Sequence, residues 1–307
     1  MRIARLAAVS AALALATCTP AERGVVVAPS GPQFDSHVQD LVGTPDMIVD
    51  AKTLATSWVV YDHEIREGSC SLQEANLTPG QYRLLRFTVV TPNIGDADIY
   101  IGDPNRHWDP NGDGDGSDSD GLFENNACHR HYHFRNYALY QLIDGSGKIT
   151  KARKNGFCMI DVKPYNDGAP PKSWVYRACG RPARPELGLP EVPGNQGISV
   201  GYADEYYKWL AGQYFVLNDP NADPVPPGEY TLRIWVNPPF TAKRTEPCPA
   251  VDPQGFCHMF KESNYANNIG QVRITIPDHP GKTGFGPGAE SNPPADDIVD
   301  DENRPDK

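Results

Sequence analysis

The sequence predicts an all-β fold, an antiparallel β-sandwich with long loops and little helix. Its 307 residues include 30 Pro and 28 Gly, a composition that suits a chain rich in turns and loops. No long stretch has the 3.6-residue period of an amphipathic helix. Short β-patterned runs occur instead at residues 58–61, 82–90, 137–143, 230–236 and 272–276.

The run at residues 230–236 shows this pattern in most detail. Its bulky apolar residues alternate with Thr, Arg and Trp, which is the two-residue period of a half-buried strand. Residues 226–228, Pro-Pro-Gly, form a turn before it. Because the runs are short, are separated by long loops and show no internal repeat, they favour one antiparallel sandwich.

The N-terminus has the pattern of a secretion signal. Arg2 and Arg5 precede an apolar run at residues 6–15 that is too short to span a bilayer. Two processing sites remain open, an ordinary signal-peptidase site at residues 14–16 and a bacterial lipobox at residues 15–18. We therefore expect a secreted or cell-surface protein, with the lipoprotein form favoured and membrane contact only through an N-terminal lipid.

Cysteine parity favours the lipoprotein interpretation. The chain has seven Cys, so six remain for disulfides if Cys18 carries lipid. Residues 1–18 are then a signal peptide with a lipobox and residues 19–40 a flexible linker. Residues 41–277 form the folded domain, and residues 278–307 are predicted to be a disordered acidic tail.

The formal net charge of −11 makes nucleic acid an unfavourable partner. It favours cationic ligands, amines and divalent metals instead.

Three His at alternating positions form the clearest functional pattern. His129, His131 and His133 would diverge on a helix, but they project from one face of a strand. Three imidazoles on one face suit Cu(II) or Zn(II) with open coordination positions. The alternative is a run of exposed His without metal, and the spacing does not choose between copper and zinc.

The segment Cys128-His129-Arg130-His131-Tyr132-His133 resembles the copper-binding CHxHYH signature of the lysyl oxidase family. Further blocks resemble that family in the same order along the chain. These blocks lie at residues 44–47, 82–87, 154–158, 196–206, 225–230, 236–238 and 262–268. The resemblance runs from about residue 44 to residue 276, and it implies that residues 41–277 are a catalytic domain.

The resemblance implies a copper(II) site and an organic cofactor. Copper would be bound by the three His, and lysine tyrosylquinone would form by crosslinking Lys154 to Tyr206. Tyr207 is the competing tyrosine, but it would point to the opposite side of an extended segment. Asp204 matches a retained family Asp and is our candidate for the general base, with a structural hydrogen-bond acceptor as the alternative.

The implied activity is oxidation of primary amines, including peptidyl lysine, by O2 to aldehydes with release of hydrogen peroxide and ammonia. A non-enzymatic copper- or calcium-binding surface protein is the second hypothesis, and a zinc hydrolase is the third. The chain departs from the family pattern at Tyr202 and Ala203, where the family has Cys-Trp. It also has Asn126 in place of a His and a Pro-rich insertion at residues 180–194.

The family pattern further implies disulfides and calcium. It pairs Cys70 with Cys128 and Cys158 with Cys179, which leaves Cys248 with Cys257. Matching calcium ligands are Asp46, the carbonyl of Met47, Glu262, Asn264, Asn267 and Asn268. Asn264 replaces a family Asp, which would weaken this site.

A second calcium candidate is the acidic loop at residues 109–120, which has oxygen-bearing residues at the spacing of a calcium-binding loop. Its proposed ligands are Asp109, Asn111, Asp113, Asp115 and Asp120. A solvated acidic loop without calcium is the alternative.

Overall fold

The computed structural model describes residues 43–113, 115–154, 156–165, 175–242, 248–281 and 283–294. The predicted signal peptide and linker lie outside these residues. Within them the chain forms three short α-helices, α1 (Ala51–Ser57), α2 (Cys70–Glu74) and α3 (Asn105–Trp108), and two 3-10 helices at Pro185–Leu187 and Tyr265–Asn267. None of the described helices is long and apolar enough to cross a membrane.

The same residues form seventeen strands. They are β1 (Val59–Ile65), β2 (Gly80–Arg86), β3 (Val89–Pro92), β4 (Ile99–Gly102), β5 (Phe123–Asn126), β6 (His131–Arg135), β7 (Ala138–Ile143), β8 (Ile149–Lys151), β9 (Gly156–Phe157), β10 (Lys163–Pro164), β11 (Gln196–Ile198), β12 (Tyr202–Tyr206), β13 (Tyr214–Val216), β14 (Gly228–Val236), β15 (Ala250–Val251), β16 (Cys257–His258) and β17 (Ile269–Ile276). All pairings between them are antiparallel, so the prediction of an all-β antiparallel fold with little helix is confirmed.

The strands are distributed over several small sheets. Their orders in the described part of the chain are β17-β14-β7-β8, β1-β2-β13, β10-β12-β3, β5-β6-β9, β11-β4 and β15-β16. Each run predicted from the sequence overlaps a strand, but the run at residues 82–90 is divided between β2 and β3. At the division the backbone N–H of Thr88 donates to Ser57 Oγ, and the carbonyl of Phe87 accepts from Gln213 Nε2. At this point side chains replace the backbone groups of a neighbouring strand as hydrogen-bond partners.

The main hydrophobic core of the described residues joins several of the sheets, and a second, smaller cluster packs on the other face of β1 and β2. In β14 every second side chain from Tyr230 to Val236 is buried, as the alternation predicts. These side chains share a core with Phe87, with Phe134 of β6 and with Tyr206 of β12. The four-stranded sheet therefore covers the inner side of the strands that carry the histidine motif and the candidate cofactor tyrosine.

Short helices begin where polar side chains cap them. Asp50 accepts hydrogen bonds from the backbone N–H groups of Lys52 and Thr53 at the start of α1. Ser69 caps α2 by accepting from the N–H of Ser71. Since α2 begins at Cys70, which is bonded to Cys128, this helix is fixed beside the histidine motif.

Residues 283–291, which we call the C-terminal strap, lie along β1. Val60 and Phe285 exchange two backbone hydrogen bonds of 2.8 Å, and the N–H of Gly288 donates to the carbonyl of Trp58. Glu290 then forms an ion pair of 2.5 Å with Lys208. The prediction of disorder from residue 278 is therefore wrong for the strap, and residues 295–307 lie outside the described part of the chain.

Candidate active site

The β5–β6 hairpin carries the histidine motif. We expected all three His on one strand, but only His131 and His133 belong to β6, and His129 lies in the turn before it. Asn126 ends β5, and its Oδ1 accepts hydrogen bonds from the backbone N–H groups of Cys128 and His129. Arg130 completes the turn in the left-handed region, with φ of 61°. The side-chain bonds of Asn126 thus form a turn that brings His129 back toward the other two.

The three His nevertheless converge. His129, His131 and His133 are buried, and one ligand nitrogen of each lies within 4.8 Å of those of the others. Burial lowers the pKa of His133 well below 6.5, and the positive charges of Lys154 and His129 act in the same direction. The neutral imidazole that this favours is the form that binds a metal. The donor set therefore fits a copper or zinc ion.

Lys154 and Tyr206 lie beside this triad. A small cavity of about 20 Å³ is lined by His129, His131, His133, Lys154, Cys158, Tyr206, Leu210 and Ala211. Lys154 Nζ is 5.3 Å from the centroid of the Tyr206 ring, and both side chains are buried. Two residues 52 positions apart in the sequence therefore share one cavity with the histidine motif.

Two strands hold these residues in place. β9 pairs with β6 through Phe134 and Phe157, so the chain that follows Lys154 runs beside the histidine strand. Tyr206 ends β12, and its hydroxyl donates a 2.7 Å hydrogen bond to the carbonyl of Cys158. The rings of Tyr206 and Phe157 pack edge to face with centroids 5.0 Å apart.

The other two candidates of this segment lie elsewhere. Tyr207 is 39% exposed on the opposite side from Tyr206, as expected for an extended segment, and its hydroxyl donates to Glu290. Asp204 is buried but is not among the residues that line the cavity. Burial raises the pKa values of Tyr137 and Tyr140, and the charge of Asp204 raises them further. The Asp204 carboxylate therefore lies near the hydroxyl groups of these two core tyrosines.

The disulfide pairing agrees with the prediction. Cys70 is bonded to Cys128, Cys158 to Cys179 and Cys248 to Cys257. The first bond joins α2 to the turn that contains His129. The second has one end at Cys158, whose carbonyl accepts the hydrogen bond from Tyr206.

Residues 45–246 match the family model described as lysyl oxidase, which is more than half of the chain. The chain belongs to the lysyl oxidase family. It is 24% identical over 278 residues to lysyl oxidase homolog 2 of Pongo abelii and of Homo sapiens, covering 87% of this chain and 29% of each relative. It is 24% identical over 253 residues to protein-lysine 6-oxidase of Rattus norvegicus, covering 77% of this chain and 47% of the relative.

Sequence reasoning missed Glu74 in this lysyl oxidase-family site. Its Oε1 lies 2.8 Å from His129 Nε2 and accepts a 2.9 Å hydrogen bond from the side-chain amide of Asn126. Burial would raise the pKa of Glu74, but the close contact with His129 and the charge of Lys154 lower it to about 2. A signal was available, because Glu74 follows Cys70 by one helical turn and Cys70 pairs with the neighbour of His129.

A larger pocket opens next to the site. It has a volume of about 330 Å³, and its lining includes Glu74, Glu124, His133, Arg153 and Lys154. Glu124 faces His133 across the β5–β6 pairing, and burial raises its pKa. His133 and Lys154 therefore line both the small cavity and this pocket, whose wall also carries carboxylates.

Most residues of the first calcium candidate also come together. Glu262 accepts hydrogen bonds from the N–H of Met47 and from the side-chain amides of Asn237 and Asn268. Asp46 accepts from the amide of Asn267. The buried Oδ1 atoms of Asn267 and Asn268 have no hydrogen-bond partner within the described structure.

The electrostatics of this cluster also suit a cation. Burial raises the pKa of Glu262 to about 7. A buried carboxylate, Asp46 and two amide oxygens fit calcium, which prefers oxygen ligands. Asn264, by contrast, is used locally, since its Oδ1 accepts from the N–H of Ala266.

The acidic loop is held by its own side chains. Asp109 accepts from the N–H groups of Gly112 and Asp113, and similar short-range bonds involve the side chains of Asn111 and Asp115. Both carboxylate oxygens of Asp120 have protein donors, His107 and the N–H of Leu122. Gly114, the expected sixth loop position, lies outside the described residues. Calcium binding by this loop stays a prediction.

Proposed function

We propose that this chain is a copper- and quinone-dependent amine oxidase that acts on primary amines, including lysine side chains of proteins. The observation that carries the proposal is the placement of Lys154 Nζ 5.3 Å from the Tyr206 ring, in a cavity also lined by three buried His. One molecule each of amine, dioxygen and water would give one each of aldehyde, ammonia and hydrogen peroxide.

The comparisons support this proposal at the level of the family. One relative is named protein-lysine 6-oxidase, a name that describes oxidation of lysine in proteins. The chain spans less than half of the length of that relative and about 29% of lysyl oxidase homolog 2. We therefore propose for this chain the same type of chemistry and lysine as the substrate. The proposal concerns only the matched region and not the remaining parts of the longer relatives.

Each residue of the site has a proposed task. His129, His131 and His133 would hold copper, which when bound supplies redox chemistry with dioxygen next to the Tyr206 ring. Tyr206 provides the aromatic ring, and its hydrogen bond to the Cys158 carbonyl keeps the hydroxyl at the cavity. Lys154 provides the amine that would join the ring to give lysine tyrosylquinone.

The pocket beside the site suits a cationic substrate. Glu74 and Glu124 place carboxylates in its wall, Arg153 of the same wall is paired with Asp219, and Lys154 is the residue proposed to join the cofactor. The whole chain carries a formal charge of −11. Such a field attracts an alkylammonium group and raises its local concentration. We still propose Asp204 as the general base. Only the family resemblance supports this role, since Asp204 is not among the residues that line the cavity.

We also propose that the protein acts outside the cytoplasm. Three disulfides join all six Cys in the described part of the chain, and such bonds persist in oxidising compartments. Anchoring through lipid on Cys18 remains part of this proposal, with residues 41–277 as the catalytic domain.

The test compares Tyr206→Phe with Tyr207→Phe in copper-loaded protein. We expect Tyr206→Phe to abolish both quinone absorbance and amine-dependent peroxide release, because the phenol that becomes the cofactor is missing. Tyr207→Phe should retain both, since its ring is on the other side of the segment. Copper content, measured by elemental analysis, should be unchanged in both variants.

The alternatives predict different outcomes. Peroxide release by Tyr206→Phe at the level of the unmodified chain would show that the cofactor assignment is wrong. Copper binding by the unmodified protein without quinone or peroxide would favour the non-enzymatic binding protein. Full zinc occupancy without amine-dependent oxygen uptake would favour a zinc hydrolase.

A further inference from the structure

We propose that Glu74 supplies a carboxylate oxygen as a fourth protein ligand to the metal held by His129, His131 and His133. This inference rests on the proposed copper site. It concerns a residue that lies outside the histidine motif and comes from a different element, α2.

The contact between Glu74 and His129 points to a shared cation. Glu74 Oε1 lies 2.8 Å from His129 Nε2. The contact nevertheless lacks the geometry of a hydrogen bond, and Nε2 has no hydrogen-bond partner among the described residues. Two electron-pair donors this close repel unless a proton or a cation lies between them. Two ligand atoms about 2.0 Å from one ion and at a right angle to each other lie about 2.8 Å apart, and Cu(II) prefers such tetragonal sites.

The second carboxylate oxygen of Glu74 supports the same interpretation. Oε2 is buried and has no hydrogen-bond partner in the described structure. A buried carboxylate oxygen without a donor is costly. A cation beside the carboxylate would compensate for that cost.

The surrounding chain is shaped to hold this carboxylate. The disulfide Cys70–Cys128 fixes the start of α2 next to the turn that contains His129. The amide of Asn126 donates to Oε1 and orients it. Gly212 has φ of 72°, and a Cβ at this position would collide with Oε2, so this glycine leaves the room that Glu74 occupies.

The negative charge of Glu74 would partly balance the charge of a bound divalent ion. Three neutral imidazoles leave a divalent ion with its full charge in a buried site. One anionic ligand reduces that charge and strengthens binding of the ion. Asn126 stands where the family pattern has a His, so this chain would place a carboxylate, oriented by Asn126, at the side of the triad.

The test measures copper coordination in Glu74→Gln and in the matched control Glu67→Gln, which changes an exposed carboxylate in the loop before α2. All proteins also carry Tyr206→Phe, so that cofactor formation does not alter the spectra. We expect Glu74→Gln to weaken copper affinity at least tenfold in competition with a chelator. We also expect it to change the copper electron paramagnetic resonance spectrum, whereas Glu67→Gln leaves both as they were.

A crystal structure of the copper-loaded Tyr206→Phe protein provides the measurement that does not depend on the folding of Glu74 variants. We expect a Glu74 oxygen about 2.0–2.2 Å from the metal. A separation above 3 Å, or an unchanged spectrum in a folded Glu74→Gln protein, overturns the inference and leaves the three-His site intact. Failure of the unmodified chain to bind copper overturns the proposed function together with the inference.

Discussion

The amine of Lys154 lies between two aromatic rings. Its Nζ is 5.2 Å from the centroid of Phe157 and 5.3 Å from that of Tyr206. Electrostatic attraction between an ammonium group and ring faces stabilises this placement. The same contacts hold the amine within reach of the ring that it is proposed to join.

We expect Lys154→Arg to prevent crosslinking while keeping the metal site. A guanidinium group keeps the positive charge and can lie over the same rings, but it stays protonated and does not act as a nucleophile. Mass spectrometry of a digest should lose the joined peptide pair of residues 154 and 206, and quinone absorbance should disappear. Copper content should remain unchanged.

Lys151→Arg is the matched control, because Lys151 is an exposed residue on the neighbouring strand β8. It should retain the joined peptide pair. If Lys154→Arg still formed a quinone with full absorbance, Lys154 would not be the crosslinking residue.

At the level of residues, motif matching predicted the His, Lys154 and Tyr206 but not Glu74. The histidine spacing has a physical meaning on a strand, whereas a single Lys or Tyr has none without the family resemblance. Glu74 lies 55 residues before His129 in the sequence, and a disulfide and a helical turn are needed to bring the two together. No local pattern contains that information.

Among the elements, α2 and the β5–β6 turn act as one unit because Cys70 and Cys128 join them. This bond closes a segment of 58 residues, whereas Cys248–Cys257 closes one of 9. The entropy lost by the unfolded chain grows with the length of the closed loop. The two bonds therefore stabilise the fold to different extents, and only the first is near the triad.

We expect replacement of Cys70 and Cys128 by Ser to lower the free energy of unfolding by about 4 kcal/mol, and replacement of Cys248 and Cys257 to lower it by about 3 kcal/mol. Only the first pair of changes should also weaken copper binding, since it releases α2 from the turn of His129. Urea unfolding and chelator competition measure the two effects. Equal copper affinity in both double variants would contradict the positional role of the Cys70–Cys128 bond.

The long strands were predictable from alternation, and the short irregular segments were not. β14 has nine residues of regular pattern, so its faces are evident in the sequence. The turn that contains His129 depends on the Asn126 side chain, which replaces backbone partners in a way that periodicity does not reveal. Tertiary hydrogen bonds of Ser57 and Gln213 likewise divide the run at residues 82–90.

For the whole molecule, the calcium candidate joins distant parts of the chain. Glu262 bonds to the backbone of Met47, 215 residues away, and Asn267 bonds to Asp46. An ion bound here would connect the start of the described domain with its last long strand, and it would stabilise the folded state only, because the ligands are dispersed in the unfolded chain.

We expect calcium at 100 times its dissociation constant to stabilise the fold by about 2.7 kcal/mol, which raises the melting temperature by about 5–10 °C. Glu262→Gln should remove this shift, since it replaces the buried carboxylate by an uncharged amide. Glu186→Gln, a change at an exposed residue, should keep the shift. An equal calcium-dependent shift in Glu262→Gln, measured by calorimetry, would exclude this site.

The C-terminal strap shows where composition misleads at the scale of the chain. Its Pro, Gly and acidic residues favour disorder in isolation. In the fold, however, Gly284 and Gly286 have positive φ values of 82° and 130°. Gly284 lies close to β1 and Gly286 lies close to Trp58 just before it, so small residues are required for backbone contact. The same glycines that predicted disorder therefore allow pairing.

This pairing also has a consequence for solubility. In its sheet β1 has β2 on one side only, so without residue 285 the backbone groups of its other side would be open to a strand from a second molecule. Exposed edge strands of this kind are a common route to aggregation. By covering that edge with the C-terminal strap, the chain protects itself against association through β1.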